Sequence, residues 1–255
     1  MTIYRYVPLK YIKALLQTKA LFFSNVLVWE DPYENFLFKQ QIITDNGDDF
    51  RKSIYCPIYF GQCWTTSRET DAMWRIYSVK SKDLKSDKLE LEDVAIKIEI
   101  ESDVLEYHVR QKFRLRSNCE VECREVMYTD SHNIIDAIKS VHYMEYYNVQ
   151  ELMKSSLFVK RKAFEHEREY RFIVQIPPME LDSQTSHLMI DFDVTAIKEY
   201  VVDPRLPHHQ LKQIKSDLIR LKVDENKIKK SDLYHPIEKI KICVEKDGYI
   251  NNNSQ

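Results

Sequence analysis

The sequence predicts an α+β fold, one domain built on mixed, largely antiparallel sheets with flanking helices. Three observations point there. Short stretches of period-two alternation interleave with helical stretches, without a strict strand–helix–strand repeat. An apolar content of 44%, with 16 Tyr and 11 Phe, suffices for a buried core. No Pro/Ser/Gly linker divides the chain and no internal repeat is visible, so residues 1–245 read as one domain and 246–255 as a frayed polar tail.

Residues 3–6 read as a first strand, after which Pro8 suits the first turn of a helix running to about residue 19, with Ile12, Leu15 and Leu16 on its apolar stripe. A short strand at 21–23 follows, then a helix over 36–50. Residues 59–66 form a strand candidate ending in Trp64-Thr65-Thr66-Ser67, and 70–77 a short helix with Met73, Trp74 and Tyr77 on one face. The charged stretch 80–93 is expected to be an exposed loop. Val94, Ile96, Ile98 and Ile100 alternate with Ala95, Lys97, Glu99 and Glu101 as a half-buried strand. A strand at 125–129 precedes a helix capped by Ser131, running through Val141 and resuming to Met153. Strands at 188–192 and 200–202 come next. Pro207 opens a last helix with Leu211, Ile214, Leu218 and Leu221 at helical spacing, and 240–244 is a final strand.

Between them lies the most unusual segment. In Phe164-Glu165-His166-Glu167-Arg168-Glu169-Tyr170-Arg171-Phe172, three acids and an arginine fall on every second residue. On an extended strand Glu165, Glu167, Glu169 and Arg171 would share one face. Carboxylates stacked this way repel each other unless cations or a ligand answer them. One reading is a solvated edge face countered by Arg171 and nearby lysines; the other is a functional row.

Composition excludes several classes. Net charge is −2 with both signs interspersed, so no global basic field invites nucleic acid. The N-terminal region carries Arg5 and Lys10 and has no apolar signal core, and no window has the length of apolar residues a membrane span needs. Five scattered cysteines fit a reduced compartment; a cytoplasmic, soluble protein without membrane contact is expected. Only three glycines occur, and neither G-x-G-x-x-G nor G-x-x-x-x-G-K-[ST] is present. That argues against Rossmann dehydrogenases, P-loop NTPases and kinases; any nucleotide must be gripped by side chains. Cys119 and Cys123 lack a second pair to complete a tetrahedron, so no metal is expected. The cluster from Trp64 to Tyr77 gathers hydroxyls that can bond a ribose or amide, and Trp74 or Tyr77 could wall a planar ring.

Several pieces in this order resemble the bacterial domain-of-unknown-function family 2971. They are Tyr4-Arg5-Tyr6, Asp31-Pro32-Tyr33-Glu34, Cys63-Trp64-Thr65, Asp71-Ala72-Met73-Trp74-Arg75-Ile76-Tyr77, Val94-Ala95-Ile96, Val126-Met127-Tyr128, Phe158-Val159-Lys160, Phe164-x-x-Glu167-x-Glu169-Tyr170-Arg171 and Asp203-Pro204-Arg205. That label implies no activity. The order of an Arg on the first strand, a strand ending Thr-Thr-Ser, and Glu-x-Glu is also similar to the Arg–Ser–Glu pattern of ADP-ribosyltransferases. This second resemblance implies a split sheet that holds NAD, as substrate, between two halves.

By that resemblance Arg5, with Tyr6, would contact the phosphates or ribose. Thr65 to Ser67 would brace the strand beside the nicotinamide, and Trp74 or Tyr77 would stack near it. Glu169 would bond the nicotinamide ribose and stabilise the cation formed as the glycosidic bond breaks, and Glu167 would orient or deprotonate the acceptor. Arg171 is counted with the cofactor-binding set, or else neutralises Glu169. The pattern departs from Ser-Thr-Ser at Thr65-Thr66-Ser67, and two Glu-x-Glu frames overlap, Glu165/Glu167 and Glu167/Glu169. The acceptor would be a macromolecule, protein or nucleic acid, in a toxin or phage-defence setting with an inhibitor partner. Two rivals stand beside the transferase: a non-catalytic nucleotide- or partner-sensing module, and a nucleic-acid-processing enzyme holding a divalent metal on Glu165, Glu167 and Asp191.

Overall fold

In the computed structural model, residues 1–53, 56–78, 91–114, 118–130, 149–181 and 185–235 are described. Strand β1 (Thr2–Pro8) runs antiparallel to β4 (Ala95–Glu101) over its whole length, from Thr2↔Glu101 to Pro8↔Ala95. β4 in turn pairs antiparallel with β10 (Glu199–Val202), and β10 pairs in parallel with β11 (Ile228–Lys230). These four strands form one half of the sheet. The other half is β9 (His187–Asp191), β2 (Ala20–Asn25), β3 (Ile58–Thr65), β8 (Glu169–Ile176) and β5 (Glu120–Glu125), all antiparallel.

The halves meet on β3. β2 holds one end of its edge through Ser24↔Gly61 and Asn25↔Phe60, while β1 touches the other end only at Tyr4↔Thr65. From that one pair β1 and β3 diverge, leaving a cleft beside Arg5 and Cys63. The side chain of Gln62, 2% exposed, closes the gap toward β2: its Nε2 donates to the Phe22 carbonyl at 2.9 Å, and its Oε1 accepts from Trp64 Nε1 at 2.8 Å. The α+β class, the single domain and the mixed, mostly antiparallel, split sheet are therefore as the sequence suggested.

Packing follows the alternation of each strand. Ile3, Ile96, Ile98, Ile100 and Phe172 turn to one face, where helices α1 (Leu9–Thr18), α4 (Ser102–Phe113) and α6 (His208–Arg220) deliver Leu9 and Ile12, Leu105 and Val109, and Ile214 and Leu218. On the opposite face, α3 (Asp71–Tyr77) packs Met73 and Trp74 on Tyr6, Ala95 and Val201. Helix α5 (Val149–Ser156) and the one-turn α2 (Phe36–Lys39) cover Tyr59 and Ile173 with Met153 and Phe38. A separate parallel pair, β6 (Met127–Thr129) and β7 (Val159–Arg161), lies beside β8.

Several expectations are corrected. The helix expected over 36–50 stops at Lys39, where Gln40 turns extended (φ −85°, ψ 155°), and it does not resume, since Thr44 to Asp49 fold into a turn with Gly47 at φ 83°, a left-handed conformation foreign to a helix interior. The strand expected over 125–129 is two: at Val126 the chain leaves β8 and its next residue, Met127, bonds the Phe158 carbonyl. Helix α4 was not anticipated, since its Leu105, Val109 and Phe113 stand among charged residues. The largest correction concerns the acidic segment. Lys162–Glu167 is a 3₁₀ turn, Arg168 takes φ 41°, and β8 begins only at Glu169. Glu165 is therefore exposed and does not share a face with Glu167 and Glu169. The expectations for 80–90, for 131–148, for the strand at 240–244 and for the tail at 246–255 lie outside the described residues.

Candidate active site

A cavity of about 140 Å³ occupies the divergence of β1 and β3. Tyr4, Arg5 and Tyr6 form one wall, Cys63, Trp64 and Thr65 the other; Met73 and Tyr77 of α3 close one side, and Glu167 and Glu169 reach it from the turn into β8. The Arg5, Tyr6, Thr65, Tyr77, Glu167 and Glu169 singled out in the sequence thus converge on one concavity. Ser67, Trp74 and Arg171 do not line it.

Local order explains this placement. Thr70 Oγ1 caps α3 by accepting from Met73 N at 3.2 Å, and Arg205 Nη2 donates to the Trp74 carbonyl at 2.9 Å while paired with Asp203. With both ends held, Tyr77 lies in a stacked orientation with Tyr6, centroids 6.3 Å apart. Trp74 is fully buried, edge-on to Tyr6, with Nε1 donating to Glu69 at 2.6 Å. It is core, which corrects its assignment as a ring-stacking residue. Thr66 donates both its N–H (2.9 Å) and its hydroxyl (3.3 Å) to the Arg168 carbonyl, locking the left-handed turn between Glu167 and Glu169 to the end of β3. Ser67 donates its N–H to Thr65 Oγ1.

Arg5 is unusual. Its side chain makes no ion pair or hydrogen bond among the described residues, and its guanidinium stands 6.0 Å from the Trp64 ring centroid. Burial lowers its pKa, and the neighbouring Cys63 and Tyr77 only partly oppose that. A desolvated guanidinium with no carboxylate is an open seat for an anion.

Across the cleft lies the opposite situation. Lys160 Nζ is 2.9 Å from Glu34, 2.8 Å from Glu167 and 2.5 Å from Glu169. Arg171, completely buried, donates from Nε to Glu169 at 2.6 Å, from Nη2 to Glu34 at 2.7 Å and from Nη1 to the Leu157 carbonyl at 2.6 Å. Its guanidinium carbon sits 4.9 Å from the centroid of Trp29, whose Nε1 is fixed by Ser24. Arg171 is thus internal structure rather than a ligand contact, the neutralising role that was its alternative.

Three carboxylates face two cations, a net negative cluster, and the excess falls on Glu167. Burial and the adjacent Glu169 push Glu167 up to about 7, with Lys160 opposing them. Burial would raise Glu169 too, but Arg171, then Glu167 and Lys160, outweigh it and hold Glu169 well below the carboxylate range. Burial likewise raises the Tyr77 hydroxyl and the Cys63 thiol, so neither is an anion at neutral pH.

Glu34 and Lys160 carried no role in the sequence reading. Their signal was present, because Asp31-Pro32-Tyr33-Glu34 and Phe158-Val159-Lys160 were among the pieces of the family likeness. Asn35 anchors that loop to the Val26 and Trp29 carbonyls at 3.0 Å, and Arg161 pairs with Asp31 at 3.1 Å, which brings Glu34 to Lys160. A second cavity of about 680 Å³, lined by Thr66, Glu125, Tyr128, Glu165, His166 and Arg168, shares Glu169 with the first.

The metal-binding triad is not assembled. Asp191 is exposed on β9 beside Lys112, Glu165 faces the second cavity, and Glu167 is bound to Lys160. Among the described residues no group of three His, Cys, Asp or Glu could hold a metal ion, and no helix is long and apolar enough to cross a membrane.

No family model matches the chain, and no curated protein does. Among solved structures, DarT of Thermus sp. 2.9 in complex with NAD+ aligns with 90% of this chain and 94% of its own at 10% sequence identity, with a TM-score of 0.34. A likeness so slight carries no inference about activity.

Proposed function

We propose that the cleft takes the nicotinamide end of NAD and that the protein splits the nicotinamide–ribose bond, passing ADP-ribose to a macromolecular acceptor. The observation that supports this most is the convergence of Arg5, Thr65, Tyr77 and Glu169 on one cavity between the two half-sheets. That cavity is bipolar, with an unpaired guanidinium on one wall and a net negative cluster on the other. NAD is bipolar in the same sense, an anionic pyrophosphate joined to a cationic pyridinium. A volume near 140 Å³ suits one six-membered ring, since a cavity of about 150 Å³ accommodates benzene. The remainder of the dinucleotide would lie along the open edges of β1 and β3.

In this reading the glycosidic bond breaks with its electron pair moving to the ring nitrogen, releasing neutral nicotinamide and leaving positive charge on the ribose. Glu169, held ionised by Arg171, faces that charge and stabilises it more than the ground state. Glu167 takes the proton of the attacking acceptor, a role suited to a carboxylate that titrates near neutrality. The second cavity, on the other side of Glu169, is where the acceptor would approach. The toxin or phage-defence setting, and an inhibitor partner, rest on the resemblance alone.

One observation favours the sensing module instead: both Glu169 oxygens are already taken, by Lys160 and by Arg171. Incubation with NAD without metal separates the two. Nicotinamide release that falls on the order of 10²–10³-fold in Glu169→Gln supports the enzyme. A thermal shift with NAD and no release supports the sensor.

A further inference from the structure

Lys160 is the only cation that touches Glu167 among the described residues. Its ammonium donates hydrogen bonds to Glu167 and Glu169 and forms an ion pair with Glu34 at 2.9 Å, so three carboxylates share one cation. The Phe164 ring, 4.6 Å from Nζ, covers it further. Glu34 and Glu169 each have a second cation in Arg171, which is pinned by the Leu157 carbonyl and by Trp29. Glu167 has no such reserve. Of the other titratable groups around the cluster, Tyr128 from β6, whose hydroxyl accepts from Glu169 N at 2.8 Å, Cys63 from β3 and Tyr77 from α3 bring no cation, and Arg5 of β1 lines the same cavity without forming an ion pair among the described residues.

We infer that Lys160 is a positioning residue that assigns charge between the two cleft carboxylates, and that Glu34 competes with Glu167 for it. Removing Lys160 strips Glu167 of its one cation while Glu169 keeps Arg171. Removing the Glu34 charge does the reverse, freeing Lys160 to serve Glu167. The two changes move Glu167 in opposite directions, whereas simple loosening of the fold would move it the same way in both. The consequence for catalysis rests on the NAD cleavage proposed above; the division of charge does not.

The test is a ¹³C-carboxyl titration of the glutamate-labelled full chain, with Glu167→Gln identifying the resonance. Lys160→Met should raise the Glu167 midpoint by about one pH unit or more, the usual effect of losing an adjacent opposite charge. Glu34→Gln should lower it, and Lys160→Arg should stay nearest the wild type. Should Lys160→Met not fold, the fall in Glu34→Gln together with retention in Lys160→Arg decides. An unchanged midpoint, or shifts of one sign in both variants, overturns the inference. The pH profile of nicotinamide release should move with the resonance. If the wild type releases none while the midpoints move as stated, the charge assignment holds and the enzymatic reading fails.

Discussion

Arg171 and Glu169, two residues apart on the same face of β8, are joined by a 2.6 Å bond from Nε to Oε2 inside the protein. Their pairing turns an acid that burial would neutralise into a fixed anion at the edge of a cavity. It also ties the candidate site to the stability of the fold, since Arg171 holds Glu34 as well.

Arg171→Met should therefore cost roughly 3–5 kcal/mol, because it leaves three buried carboxylates with Lys160 as their one cation among the described residues. Urea unfolding measures it. A loss under about 1 kcal/mol, the scale of an exposed ion pair, would show that the cluster is solvated.

Glu167 predicts the pH dependence of stability. Its pKa is raised in the fold, so its contribution is fully present below the ordinary carboxylate range and is lost as pH rises through about 7. Glu169, depressed in the fold, acts oppositely: its contribution is present above the ordinary range and is lost only in strong acid. Glu167→Gln cannot ionise. Its stability relative to the wild type should rise between pH 5 and pH 8, read from chemical unfolding; parallel curves would contradict the shift.

Gly61 sits under the Trp29 ring, where an added Cβ would come within 2.5 Å of Cζ2. Gly61→Ala should push the indole off Arg171 and cost about 1–3 kcal/mol, with a changed tryptophan emission. Unchanged emission and stability would show that the ring yields freely.

Arg5→Met separates binding from folding. Arg5 has no ionic partner to lose among the described residues, so the variant should unfold within about 2 kcal/mol of the wild type, the scale of a desolvated cation–π contact. Thermal stabilisation by NAD should vanish. Persistence of that stabilisation would remove Arg5 from the anion seat.

The strands were legible because alternation marks them directly, as in Val94 to Ile100. Helix α4 was hidden because three apolar residues spaced four apart among charges give a faint pattern, and the helix is fixed by burial against β4 rather than by its own sequence. The site was legible in its residue types but not in its geometry. Glu167 and Glu169 were found by their spacing, yet the reason they meet is a left-handed Arg168 that spacing cannot reveal. Lys160 and Glu34 were invisible as partners, since contacts between residues 126 apart in the chain arise only from the folded topology.

Nicotinamide release from NAD by the full chain, without added metal, compared with Glu169→Gln, is the decisive measurement. Release by the wild type, reduced on the order of 10²–10³-fold in the variant, is expected. No release from either protein, or equal release from both, would show that the carboxylate beside Arg171 serves the fold and not a reaction.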